Sequence, residues 1–212
     1  MHPLNFIHLG LTDYASAQEL QTELRARRQR GEVGDTLLLL EHPRVITRGR
    51  RPAHGDFRIA PEVLRRKGFA IEDARRGGRL TYHGPGQLVV YFIVSLKERG
   101  WKVPAFVAAV EQTAILTLRH FGVEAGRRKG CPGVWVRGAK IAAIGLSIDR
   151  GVSMHGLALN VDPDLKDFEV IIPCGIEDCA VTSLKRETGQ DVALDRVERA
   201  FCRAARQVYE SS

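Results

Sequence analysis

The chain has 212 residues, 44% of them hydrophobic and 27% charged, which is enough apolar material for one substantial core and too much for a disordered chain. Its 32 Lys and Arg outweigh 25 Asp and Glu, giving a formal charge of +7. No apolar run approaches the roughly 20 residues that a membrane-spanning helix needs, so a membrane protein is excluded.

In chain order, the opening MHPLNFIHLGLTDY has no basic stretch followed by an apolar one, so a secretory signal is not expected and a cytoplasmic location is. A strand is predicted over Asn5 to His8. Thr12 or Asp13 can cap a helix over 13–29, where Ala17, Leu20 and Leu24 recur at helical spacing. DTLLLLEHP is a continuous apolar run ending at proline, read as a buried strand over 36–41, and RVITRGR as a second, short one. APEVLRRKG has the proline-first, glycine-last polarity of a short helix.

QLVVYFIVSL is apolar and β-branched, a core strand over 87–94. VPAFVAAVEQTAILTLRHFG places Val103, Phe106, Val107, Val110, Ala114, Leu118 and Phe121 on one helical face, with Gly122 ending the helix. GVWVRGAKIAAIGLSID reads as a hairpin turning around RGAK, and VSMHGLALNVD as a half-buried strand. A final amphipathic helix turns Leu194, Val197, Phe201, Ala205 and Val208 inward. Strands in hairpins with helices between them predict an α+β fold with mixed β-sheets flanked by helices. No linker marks a boundary, so 1–212 is read as a single domain, with room for a small lobe after about 160.

Basic residues gather at 25–30, 48–51, 65–67 and 126–130. They describe either a solvated surface or a face for acidic partners. Aromatics are sparse and no nucleic-acid motif accompanies the charge, so acidic proteins are favoured over nucleic acid. Among the cysteines, Cys202 sits mid-helix beside Phe201 as a packing residue, and Cys131 and Cys179 lie in polar, turn-rich stretches. Cys174 and Cys179 lack the further Cys or His that a zinc site requires, so no metal is expected.

In VIIPCGIEDC an apolar run enters Pro173 and then presents Cys174 before Gly175, a corner that exposes a thiol. The same stretch also suits a small residue ending a strand. A nucleophilic thiolate needs a base or cation nearby. His83 and His155 in glycine-rich settings are candidates, as is Lys140, which precedes an apolar strand where burial would depress its pKa. Lys140 reads equally as a turn residue in water. Glycine-flanked segments at 76–83 (RGGRLTYH), 143–145 and 156–158 admit either a ligand or close β-packing.

RGGRLTYHGPGQLVVYFI (76–93), GVWVRGAKIAAIGLSI (133–148), HGLALNVDPDL (155–165) and PCGIEDCAVTSL (173–184) together resemble the lipoyl(octanoyl) transferase family. HP at 42–43 followed by TRGRR at 47–51 is a weaker fifth block, and the resemblance spans about 35–190. It implies the catalytic fold of biotin and lipoate protein ligases. It also implies transfer of an octanoyl or lipoyl group from acyl carrier protein to a lysine of lipoyl domains of 2-oxoacid dehydrogenases, or of glycine-cleavage H protein, with no cofactor.

The resemblance further implies a Cys/Lys dyad of Cys174, acylated as a thioester, and Lys140 as general base. Substrate contacts are implied at Arg76, Gly77, Gly78, Arg79, Leu80, Thr81, Tyr82 and His83, at Ala143, Ile144 and Gly145, and at Gly156, Leu157 and Ala158. Backbone N–H groups near Gly145, Gly175 or 76–78 are candidate oxyanion donors. The role of His83 stays open among base, carbonyl donor and loop anchor. Phe92, Met154 and Cys179 depart from the family pattern, and a disulfide between Cys174 and Cys179 would block the nucleophile. An ATP-dependent lipoate ligase and a non-catalytic acyl-carrier-binding protein are the alternatives on the same fold.

Overall fold

A computed structural model describes residues 3–51, 55–172 and 180–210. The run of leucines after Asp35 forms β2 (Thr36–Glu41), and the β-branched run forms β6 (Gln87–Ile93). Around them a seven-stranded mixed sheet is laid out in the order β1 (Asn5–Leu11), β2, β6, β10 (Val152–Asn160), β9 (Ala139–Asp149), β8 (Cys131–Val136) and β7 (Gly126–Arg128). A second sheet of three strands runs β4 (Ala70–Asp73), β3 (Val45–Arg48), β5 (Leu80–His83). The pairs β1–β2 and β3–β4 are parallel and the rest antiparallel, as the predicted mixed α+β class requires.

Strand alternation sorts the central residues between two cores. Leu37, Leu39, Leu88, Val90, Phe92, Leu157 and Leu159 face α3 (Val103–His120) and α5 (Leu194–Glu210), which contribute Phe106, Val110, Leu118, Val197, Phe201 and Tyr209. Leu38, Leu40, Val89, Tyr91, Ile93 and Ala158 face α1 (Tyr14–Gln29) through Ala17 and Leu24. Each fully buried Leu or Phe side chain contributes about 1.5–3 kcal/mol. The small sheet has a core of its own, where Ile46, Leu80 and Tyr82 pack on Leu64 of α2 (Pro61–Arg66) and on Phe168.

Asp13 caps α1 by accepting from Ser16 N at 2.9 Å. The β8–β9 turn at Arg137 and Gly138 has positive φ at both residues, 47° and 86°, the twist a two-residue hairpin favours. Several expectations change. β10 is buried along its whole length, not on one face, because both cores close over it. Val103 is 48% exposed at the first turn of α3, beyond the sheet that covers Phe106.

Arg28, within the basic cluster at 25–30, is buried and not a surface charge. Its Nε donates to Asp35 Oδ1 at 2.8 Å, and its two terminal nitrogens reach Glu98 at 2.8 and 2.7 Å. Asp35 also accepts from Ser95 N at 2.9 Å and from Arg99 Nε at 2.6 Å, while Arg99 donates to the Tyr209 carbonyl. One carboxylate thus joins α1, β2, the segment after β6 and α5. Removing it takes the shared carboxylate from Arg99 and leaves Arg28 with Glu98 alone, a loss of roughly 3–5 kcal/mol. Asp35→Ala is expected to lower unfolding free energy by that amount in urea denaturation; a change within experimental error would contradict this role.

Candidate active site

The two sheets enclose a narrow cavity. Its floor is β6, β10 and β9, whose register aligns Tyr91, Gly156 and Gly145 in one row and Val89, Ala158 and Ala143 in the next. Small side chains across β10 and β9 leave the gap. The segment 76–83 forms the roof, and the cavity beneath it is slender, about 50 Å³. A Cβ on Gly145 would lie 2.7 Å from Arg76 Cδ, so only a glycine lets the roof come down there. The loop at 76–79 wraps the buried Arg76 guanidinium, which donates to the carbonyls of Thr47, Gly77 and Arg79 at 2.8–3.1 Å. Gly77 N bonds Leu146 O at 3.0 Å where β9 extends past β8.

Lys140 owes its direction to a β-bulge. Val134 pairs with Ala142 but Trp135 with Lys140, so one extra residue is inserted into β9. Ile141 and Ala142 therefore both enter the α3 core, and Lys140 turns to the cavity side with Ala143. Its side chain is 5% exposed, and Nζ lies 4.8 Å from the Trp135 ring centroid, a cation–π contact. The expectation of a turn residue in water is replaced by a buried amine.

Thr81, Ala143, Ala158, Gln87 and Asn160 share a small space with Lys140. An outer groove of about 740 Å³, reaching Arg51, Val107 and Cys131, also touches Lys140 and meets the cavity at Gly77–Arg79 and Gly145. The backbone of Lys140 accepts from Thr182 N at 3.0 Å and donates to Ala180 O at 2.8 Å, while Ile172 N bonds Asp56 O at 2.8 Å. Both flanks of 173–179 are thereby fixed. Cys174 and Cys179 lie outside the described residues.

Three histidines are buried at or near the inner cavity, of which His83 and His155 line it. His42 bridges the Thr12 carbonyl and the Tyr91 hydroxyl at 2.6 and 2.7 Å. His83 Nδ1 lies 3.3 Å from Gln87 Oε1. Two carbonyls orient the neighbouring amides: Asn160 Nδ2 donates to Thr182 O at 2.9 Å, and Gln87 Nε2 donates to Asn160 Oδ1 at 3.0 Å and to Tyr82 O at 3.4 Å. Gln87 Oε1 is therefore an acceptor and His83 Nδ1 carries the proton. Burial, with His42 and Arg76 adding repulsion, holds His83 well below the ordinary imidazole pKa; burial likewise lowers His42. Burial and the Arg76 charge bring His155 down to about 3.

Most of the predicted segments meet here: Arg76 to Thr81, His83, Ala143 to Gly145 and Gly156 to Ala158 all line the cavity. Tyr82 lines the small space around Lys140 instead, where its ring packs on Phe69 and Phe168 and its hydroxyl donates to Asp167 at 2.7 Å. Tyr14, Val89 and Tyr91 were not anticipated; only the register of β6 against β10 reveals the last two. Cys202 is half-buried on α5, its thiol pushed up to about 11 by burial, as a packing residue would be. Among the described residues, no cluster of metal-ligating side chains occurs and no helix is long and apolar enough to cross a membrane.

Residues 13–206 match the lipoyl protein ligase A/B catalytic domain, and the chain belongs to that family. Within it, the octanoyltransferase of Chloroflexus aggregans is 47% identical over 210 residues, covering 95% of both chains. That of Acidobacterium capsulatum is 46% identical, covering 96% of this chain and 88% of its own. Among solved structures, a bipartite lipoate protein ligase of Thermoplasma acidophilum superposes with a TM-score of 0.77 at 16% identity, covering 99% of this chain and 85% of its own. The biotin protein ligase of Aquifex aeolicus gives 0.56 at 15% identity, covering all of this chain and 70% of its own. These two share the fold.

Histidines buried in the neutral form make stability depend on pH. Unfolded, each takes up a proton near its ordinary 6.5, whereas folded His155 does so only near 3. Between those values the unfolded state binds more protons, so the contribution is complete above 6.5 and falls as pH drops, by up to about 1.4 kcal/mol per pH unit per histidine. The urea midpoint is expected to decline from about pH 7.5 to about pH 5.5; a flat or rising profile would show that these rings are not held neutral.

Proposed function

We propose that the protein transfers an octanoyl group from acyl carrier protein to a lysine of lipoyl domains or of glycine-cleavage H protein, through a thioester on Cys174 with Lys140 as general base. The observation that carries this reading is the narrow, small-residue cavity beside a buried lysine whose backbone is bonded to Ala180, directly after the 173–179 segment. The relatives named octanoyltransferase support the same reaction. Each methylene buried between Val89, Ala143 and Ala158 gains about 0.8 kcal/mol, so an eight-carbon chain binds without a charged contact.

In the first half-reaction Lys140 takes the Cys174 proton, and the thiolate attacks the carrier thioester. The new carbon–sulfur bond forms as the carrier's thiol leaves with that proton. In the second, the acceptor amine attacks the Cys174 thioester, loses a proton to Lys140, and the thiol is restored as the amide forms. Neutral His83 presents Nε2 as an acceptor, which leaves the oxyanion to backbone N–H groups. The N–H of Gly77 is not among them, being committed to Leu146 O. Arg51 beside the outer groove suits acidic carrier domains, whereas Arg79 is paired with the buried Asp56 carboxylate.

Incubation with octanoyl carrier protein without ATP, followed by intact and peptide mass measurement, is expected to reveal an octanoyl adduct on Cys174 that Cys174→Ala abolishes. Acceptor modification that requires ATP and proceeds without such an adduct would favour a ligase instead. Lys140→Met is expected to slow acylation by about 10²-fold or more with the circular dichroism spectrum unchanged. Near-normal acylation would remove Lys140 from the mechanism.

A further inference from the structure

The far end of the cavity is not apolar. His155 occupies β10 with φ of +64°, a left-handed conformation that a bulky residue rarely adopts. Alternation alone would send its ring to the α3 and α5 core with Leu157 and Leu159. The positive φ turns it to the α1 side with Met154, its ring centroid 6.2 Å from that of Tyr91. Gln21 Oε1, from α1, holds the strained residue by accepting its N–H at 2.9 Å.

His155 is 1% exposed, and among the described residues neither ring nitrogen has a hydrogen-bond partner; the buried Tyr14 hydroxyl lacks one too. Both residues line the cavity. A buried polar group without a partner is costly, and Leu or Phe would close an apolar chamber without that cost. A neutral imidazole has one donor and one acceptor, and a phenol has both. Together they complement a hydroxyl, which also gives and takes one hydrogen bond.

The spacing fits an eight-carbon chain. Row by row, the floor runs from Gln87 and Asn160, which share the space around Lys140, to Tyr91, Gly156 and Gly145, beside His155. Those rows are four residues apart along β6, about 13 Å at strand rise. Seven carbon–carbon bonds in an extended chain cover about 9 Å. A chain whose carbonyl sits at the Lys140 end therefore stops about one hydrogen bond short of the row beside His155.

We propose that His155 and Tyr14 form a polar subsite at the far end of the acyl cavity that receives a hydroxyl on the terminal carbon of an eight-carbon acyl chain. This rests on the acyl-cavity reading above. Titration calorimetry of the full chain with octanoic acid and with 8-hydroxyoctanoic acid tests it without carrier, acceptor or transfer. The wild-type protein is expected to bind the two acids within about threefold, whereas a cavity without partners would weaken the hydroxy acid by roughly tenfold or more. Tyr14→Phe is expected to shift the affinity ratio about tenfold toward octanoic acid. His155→Asn, which tolerates the left-handed backbone and keeps a donor and an acceptor, is expected to retain more of the hydroxy-acid affinity than His155→Gly.

Thermal unfolding verifies that each variant folds. Wild-type preference for octanoic acid by tenfold or more, or an unchanged ratio in Tyr14→Phe, overturns the subsite alone. Binding of neither acid overturns the acyl cavity and the subsite with it.

Discussion

Covering both faces of the central strands is the constraint on which the rest of this molecule depends. β2, β6 and β10 are buried on each side, so every residue along them must fill a core or leave a space. On the α3 and α5 side, large side chains fill it. On the other side, α1 covers one part and the small sheet another, and where they meet the floor drops to glycine and alanine. The cavity is thus the remainder of a packing problem whose solution elsewhere is tight. A scaffold buried on both faces is also closely packed, which fixes the width of the slot.

Two local departures from strand geometry then supply polar groups to an otherwise apolar slot. The bulge at Ile141 brings an amine in at one end, and the left-handed residue 155 brings an imidazole in at the other. Neither departure is free, since each breaks the regular alternation of a buried strand. Both occur on the adjacent strands β9 and β10, where small neighbours leave room for them. The neutral histidines follow from the same dryness: burial removes their charge and leaves hydrogen-bonding atoms in its place.

Much of this was legible in the residues. The period of α3 and α5, the glycine-centred turn of the β8–β9 hairpin and the apolar runs of β2 and β6 express their own local physics and appear where expected. Long-range effects were not legible. Arg28 looks like one more surface cation until Asp35, Glu98 and Arg99 meet around it. β10 reads as half-buried because a second covering layer leaves no mark within a single strand. An insertion of one residue at Ile141 cannot be seen without the register of its partner strand, yet it decides which way Lys140 points. Tyr14 follows a helix cap and carries no hint that it would face a ligand space.

The hydrogen bond from Gly77 to Leu146 has a meaning beyond the cavity wall it builds. Past the end of β8, β9 has no partner strand on that side among the described residues, with Ile144, Leu146 and Ile148 only partly buried along it. Such an edge is a template for strand addition by another copy of the chain and thus for aggregation. The glycine loop occupies a carbonyl in the middle of that edge, and the Arg76 guanidinium stiffens the loop from within. The segment that roofs the cavity therefore also covers part of an edge open to strand addition.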